Sequence, residues 1–123
     1  MPDPVGLSPV LDYEGRVFRP VGASGTDTPT GRYHHDGDLV WAEFGGGHLR
    51  TGRLVGTCAP DGTITAAYCQ VGSDGSVVAG EVVSRPTVLP DGRVALAEHW
   101  RRADGSAGVS HIEEIESREG GTA

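Results

Sequence analysis

Glu98 is the residue whose position most needs a chemical explanation. It stands in the segment RVALAEHWRR, Arg93 to Arg102, where Val94, Leu96 and Trp100 fall at alternate positions and Glu98 keeps their register. An ionised carboxylate among apolar side chains is costly unless it is paired or hydrogen-bonded. Burial raises a carboxyl pKa and hydrogen bonds to the charged form lower it, so such a group suits either half of a proton transfer. If Tyr68 and Arg102 share its face, Glu98 is a candidate catalytic acid or base acting on a bound carbonyl compound. The competing expectation is a polar core, in which Glu98 is tied to serines and water.

The elements that must place these residues are strands. Asp-Gly occurs at 36–37, 61–62, 74–75, 91–92 and 104–105. Between alternating segments it is a strong hairpin signal, and Pro-Asp-Gly at 60–62 and 90–92 suits a type I turn followed by a bulge. The intervening segments read as strands over about 15–21, 30–35, 39–44, 48–59, 63–72, 76–88, 93–102 and 107–116, and no stretch has helical periodicity. Eight sequential strands joined by tight turns predict an all-β fold, a single eight-stranded antiparallel up-and-down barrel of the calycin-like kind, because closure removes the exposed edges. A β-sandwich is the alternative. The barrel domain spans 10–116, with a flexible N-terminal segment over 1–9 and a flexible tail over 117–123.

Three-residue loops at 60–62, 73–75, 90–92 and 103–105 pair even-numbered residues with even-numbered ones in every hairpin. One face then carries Leu54, Ile64, Tyr68, Gln70, Val82, Ser84, Leu96, Glu98, Trp100, Arg102, Ser110 and Ile112, and this is the predicted interior. Glu98 opposes Ser84 on one side and Ser110 on the other, Trp100 opposes Gly108, and Arg102 opposes Gly80. Tyr33 and His35 face inward if the 35–38 loop has four residues. Val40 and Phe44 point in and Trp41 points out, either toward a protein partner or under the N-terminal segment.

Other chemistries find less support. His34 and His35 are adjacent and so point to opposite faces, while His99 and His111 fall on the outer face, so no metal site is expected. Cys58 and Cys69 lie on opposite faces and out of register, which predicts two free thiols. The serines lack a nucleophile-elbow context. A net charge of −7 without a basic run argues against binding nucleic acid or anionic lipid. No apolar run is long enough to span a membrane, and the start MPDPVGLSPV does not read as a secretory signal, so a cytoplasmic location is expected.

YHHDGDLVWAEFGGG, RLVGTCAPDGTITAAYCQ and SRPTVLPDGRVALAEHWRRADGSAGVSHIEEI together resemble a family of small bacterial proteins of about this length. The shared features are a Trp-Ala-x-aromatic-x-Gly-Gly segment at 41–47, Gly-x-Leu-Val-Gly at 52–56, and Leu-x-Asp-Gly-Arg followed by Glu-x-Trp between Leu89 and Trp100. The resemblance covers roughly 12–116. His35 departs from an expected Gln, and Cys69-Gln70 follow Tyr68 where Gln-His is expected. Members carry the label N-acetylglutamate synthase. Here Arg19 to Ser24 is the nearest approach to an acetyl-CoA pyrophosphate turn, but it ends in Ser and no helix follows, so acetyltransferase activity is not expected.

These residues point to a barrel that binds a small, partly polar and aromatic molecule, because an interior rich in Gly and Ala and poor in large aliphatics does not fill itself. The expected ligand contacts are Tyr33, His35, Tyr68, Gln70, Ser84, Trp100, Arg102 and Ser110, with no cofactor. One alternative is a cofactor-independent cyclase or isomerase in the same cavity, with Glu98 as its acid–base group. Another is an interaction protein without a ligand, or a homodimer built on Trp41 and the outer strands.

Overall fold

The computed structural model describes residues 11–23 and 27–116. The two terminal segments expected to be flexible, 1–9 and 117–123, lie outside the described residues. Eight strands follow in chain order: β1 (Val17–Pro20), β2 (Thr30–Asp36), β3 (Leu39–Gly46), β4 (Leu49–Cys58), β5 (Ile64–Gly72), β6 (Val77–Val88), β7 (Val94–Arg102) and β8 (Ala107–Glu114). Each pairs antiparallel with its neighbour in sequence, and β1 also pairs with β8, so the sheet closes into a barrel rather than splitting into a sandwich.

The turns explain the register. In four hairpins an Asp accepts the backbone N–H two residues on: Asp61 from Thr63, Asp74 from Ser76, Asp91 from Arg93 and Asp104 from Ser106, at 2.9–3.0 Å. The Gly after each Asp takes a positive φ between 86° and 93°. These are three-residue loops, and they pair Cys58 with Ile64, Tyr68 with Gly80, Ser84 with Glu98 and Glu98 with Ser110, even with even throughout.

The fifth Asp-Gly behaves differently. Asp36 pairs with Leu39, which leaves a two-residue loop at Gly37 and Asp38 rather than the four-residue loop over 35–38 on which an inward Tyr33 and His35 were conditional. A hairpin one residue out of the common parity inverts the strand that precedes it. In β2 the odd residues therefore face inward: Tyr33 pairs with Ala42 and His35 with Val40.

One end of the barrel is packed solid. Tyr13, Val40, Ile64 and Val94 are fully buried there, with Leu96 almost so. The Tyr13 hydroxyl donates to the Gly62 carbonyl at 2.5 Å, which ties the segment before β1 across the barrel end. Glu114 is 1% exposed and receives two donors, Arg16 Nη1 at 2.8 Å and the Val94 N–H at 3.1 Å. On the outer face Trp41 stacks on the His34 ring at 5.3 Å and is half-buried. Cys58 is buried and Cys69 exposed, both as free thiols.

Candidate functional site

The other end of the barrel is hollow. β7 turns Glu98, Trp100 and Arg102 inward in steps toward that end, and β5 does the same with Tyr68 and Gln70. Phe44 projects from β3 between Gly31 of β2 and Gly52 of β4, its register partners on either side. A Cβ at Gly31 would lie 2.6 Å from the Phe44 ring and one at Gly52 would lie 2.9 Å from it, so the ring occupies a slot that only glycines leave. Trp100 lies against Gly108 in the same way, 2.7 Å from where a Cβ would stand. Large aromatics are thus carried on the strands that have the smallest partners, and the space between them is not filled.

The result is a cavity of about 310 Å³ that opens beside Pro29, His48 and Leu49. Phe18, Phe44, Leu54 and Val82 give it apolar walls. Its polar wall groups are Tyr33, Tyr68, Gln70, Glu98, Trp100, Arg102 and Ser110, joined by Arg19, Thr30, His48 and His111, the last of which was expected on the outer face. The first seven were singled out in the sequence as interior groups, and the other four were not.

Two sequence candidates, His35 and Ser84, do not reach the cavity wall. His35 has the inward parity of Tyr33 but sits a step closer to the packed end, where its Nδ1 accepts the Tyr13 N–H at 3.1 Å and its ring lies 5.8 Å from the Tyr13 ring. Ser84 is fully buried between its register partners Ile64 and Glu98. Parity assigns a side chain to a face but not to a depth, and both residues lie below the cavity.

The serines also fail to satisfy Glu98. Ser110 Oγ accepts the indole N–H of Trp100 at 3.0 Å, and Ser84 Oγ has no protein partner. Among the described residues none hydrogen-bonds the Glu98 carboxyl. Burial without compensation pushes its pKa up to about 7. Tyr33 presents a similar case: its hydroxyl is buried without a protein partner, and burial, reinforced by the charge of Glu98, holds the phenol well above its ordinary pKa. A carboxyl poised near neutrality and a protonated phenol on one cavity wall can donate hydrogen bonds to a guest or exchange a proton with it.

At the mouth Arg102 folds back over Trp100, its guanidinium carbon 4.9 Å from the ring centre. Its Nε is buried without a protein partner. Among the described residues no group of His, Cys, Asp and Glu could hold a metal ion.

Two buried residues were not singled out in the sequence. Tyr13 lies before the first strand, where no hairpin register applies. Glu114 was within reach, because the parity that sends Ile112 inward sends Glu114 inward as well.

A family model described as avidin-like protein matches residues 11–115. No curated protein and no solved structure matches the chain.

Proposed function

The chain belongs to the avidin-like family, and from that premise together with the open end of the barrel we propose that it binds a small molecule inside the barrel. Avidin-like barrels bind small ligands such as biotin. The observation that carries the reading is the cavity of about 310 Å³ whose wall includes polar groups without protein partners, Tyr33 Oη and Arg102 Nε. Native interiors rarely leave such groups unsatisfied unless something else meets them. Its volume is in the range of small-molecule sites, and its few polar groups set in apolar walls are typical of them.

The test is a thermal-shift screen of small metabolites, biotin included, on wild type, Tyr68→Ala and the outer-face variant Trp41→Ala. A ligand at a hundred times its Kd adds about 2.7 kcal/mol to the stability of a native state that alone binds it. The expected hit shifts wild type and Trp41→Ala alike and loses its effect in Tyr68→Ala. A screen in which no compound shifts wild type counts against the reading.

Glu98 favours a second reading, cofactor-independent isomerisation or cyclisation in the same cavity, because a carboxyl with a pKa of about 7 suits general acid–base work. Turnover of a screened hit that follows the ionisation of Glu98 and disappears in Glu98→Gln is the expected result. A hit that binds and is recovered unchanged removes this reading and leaves the first.

A further inference from the structure

We propose that Asp36-Gly37, where β2 turns into β3, is a site of spontaneous covalent modification: the peptide link migrates from the α-carbonyl of Asp36 to its side chain and leaves an isoaspartyl residue. The modification is independent of what the barrel binds.

The chemistry is contained in the dipeptide. The Gly37 nitrogen attacks Cγ of Asp36 and a C–N bond forms. The amide proton and the carboxyl hydroxyl leave as one water, and a five-membered succinimide results. Water then adds to one of its two carbonyls. Opening at the Asp36 α-carbonyl breaks the original peptide bond, frees an α-carboxylate and leaves the chain running through Cγ. Opening at Cγ restores Asp. Water is the one co-reactant, and a glycine nitrogen is the least shielded nucleophile because no Cβ stands beside it.

All five Asp-Gly pairs have this sequence, but the fold separates them. In four loops both reacting groups are engaged. The carboxyls of Asp61, Asp74, Asp91 and Asp104 each accept the backbone N–H two residues on. The Ser76 hydroxyl, the Arg93 guanidinium and the Ser106 hydroxyl add a second donor to Asp74, Asp91 and Asp104. These bonds hold the four carboxyls below their ordinary pKa, and an ionised carboxylate is a poor acceptor for a nitrogen nucleophile. The glycine N–H groups are engaged as well. Those of Gly62, Gly75, Gly92 and Gly105 donate to the carbonyls of Ala59, Gly72, Leu89 and Arg102 at 2.9–3.0 Å.

Asp36-Gly37 has neither restraint. Among the described residues no donor meets the Asp36 carboxyl and no acceptor meets the Gly37 N–H. Gly37 has a positive φ of 65° and Asp38 does not, the pattern of a type II′ turn. The hydrogen bond of such a turn joins its first and fourth residues, Asp36 and Leu39, and leaves the Gly37 N–H outside it. Both residues are exposed, and a Cβ on Gly37 would meet nothing within 4 Å. The 36–37 peptide therefore has room to rotate its nitrogen toward the carboxyl.

An isoaspartyl link adds one main-chain carbon to a two-residue loop, and loop length sets register. This loop holds Tyr33 opposite Ala42 and His35 opposite Val40. His35 in turn carries the segment before β1: its Nδ1 accepts the Tyr13 N–H at 3.1 Å and its own N–H donates to Glu14 Oε1 at 2.8 Å. Modification at Asp36 thus loosens the packed end of the barrel.

The test keeps the whole chain at pH 6 and 37 °C, folded and in urea, and samples it over weeks. Isoaspartate is counted by methyl transfer from S-adenosylmethionine with an L-isoaspartyl methyltransferase. It is placed by digestion with an endoprotease that cuts before Asp but not before isoaspartate. In urea the five sites are expected to react at similar rates. In the folded protein Asp36 is expected to react faster than any other site by about tenfold or more, since each of the others must first release at least two hydrogen bonds. Asp36→Ser removes most of the methyl acceptance of the folded chain. A capped site that reacts as fast as Asp36 in the folded protein, or an Asp36 that folding protects as strongly as the other four, overturns the proposal. Aged wild type is expected to melt at a lower temperature than its fresh sample, while aged Asp36→Ser matches its own. An unchanged melt with isoaspartate present at Asp36 overturns the link to the packed end.

Discussion

Glu98 couples the stability of the protein to pH in a direction opposite to most carboxylates. Its pKa of about 7 in the fold stands above its ordinary 4.5. Below 4.5 the group is protonated in folded and unfolded chains alike and contributes no penalty. As pH rises from 4.5 toward 7 the unfolded chain ionises it while the fold resists, so stability falls and then levels off above 7. At 1.36 kcal/mol per unit the full loss is about 3 kcal/mol. Glu98→Gln is expected to remove this dependence, with a variant more stable than wild type at pH 8 and similar to it at pH 4.5. Urea unfolding of both proteins across that interval, taken as the difference, isolates Glu98 from the exposed turn aspartates, whose hydrogen bonds work in the other direction. A flat difference curve would show that Glu98 is solvated or paired in solution.

The strands and turns have their own dependencies. Trp100 can lie along β7 because its register partner on β8 is Gly108. Gly108→Ala would bring a Cβ to 2.7 Å from the indole, so the ring must move. The expected cost is about 1–3 kcal/mol, with a shift in tryptophan emission, since the displaced ring also loses its bond to Ser110. Unchanged emission would mean that the strand, rather than the ring, gives way. In the turn between β6 and β7, Gly92 has φ +90° and Asp91 caps both the backbone and the side chain of Arg93. Gly92→Ala is expected to cost about 1–2 kcal/mol in urea unfolding, because a Cβ is disfavoured in left-handed backbone. A cost near zero would mean that the loop relaxes to another turn type and tolerates a change of register.

Closure belongs to the whole molecule. β1 is short and holds only two register pairs with β2 and three with β8. The Arg16–Glu114 pair, 14% and 2% exposed in its side chains, adds a charged link between the residue before β1 and the last residue of β8. Arg16→Met leaves a buried carboxylate with only the Val94 N–H, and about 3–5 kcal/mol of stability is expected to go with it. The double variant Arg16→Met, Glu114→Gln should recover most of that loss in denaturant titration. If the single variant costs no more than the double, the pair is not what closes the barrel.

Apart from the hairpin at Asp36 to Leu39, what depends on neighbours within a hairpin could be read from the residues in order. The Asp-Gly turns, the three-residue loops and the even-numbered interior from Leu54 to Ile112 follow from local backbone chemistry and the two-residue period of a strand, which require no knowledge of the rest of the chain. The candidate wall groups from Tyr68 to Ser110 were legible for the same reason, whereas Tyr33 was placed only on condition of a four-residue loop that the structure replaces with a two-residue one. Depth along the barrel axis was not, because it depends on how far the packed end rises. Tyr13, arriving from outside the sheet, sets that level and leaves His35 and Ser84 beneath it. The partners of Glu98 were decided in three dimensions as well, since Trp100 reaches the Ser110 hydroxyl first. Arg16 and Glu114 meet only because the ring of strands closes, a contact between the two ends of the chain that no local pattern contains.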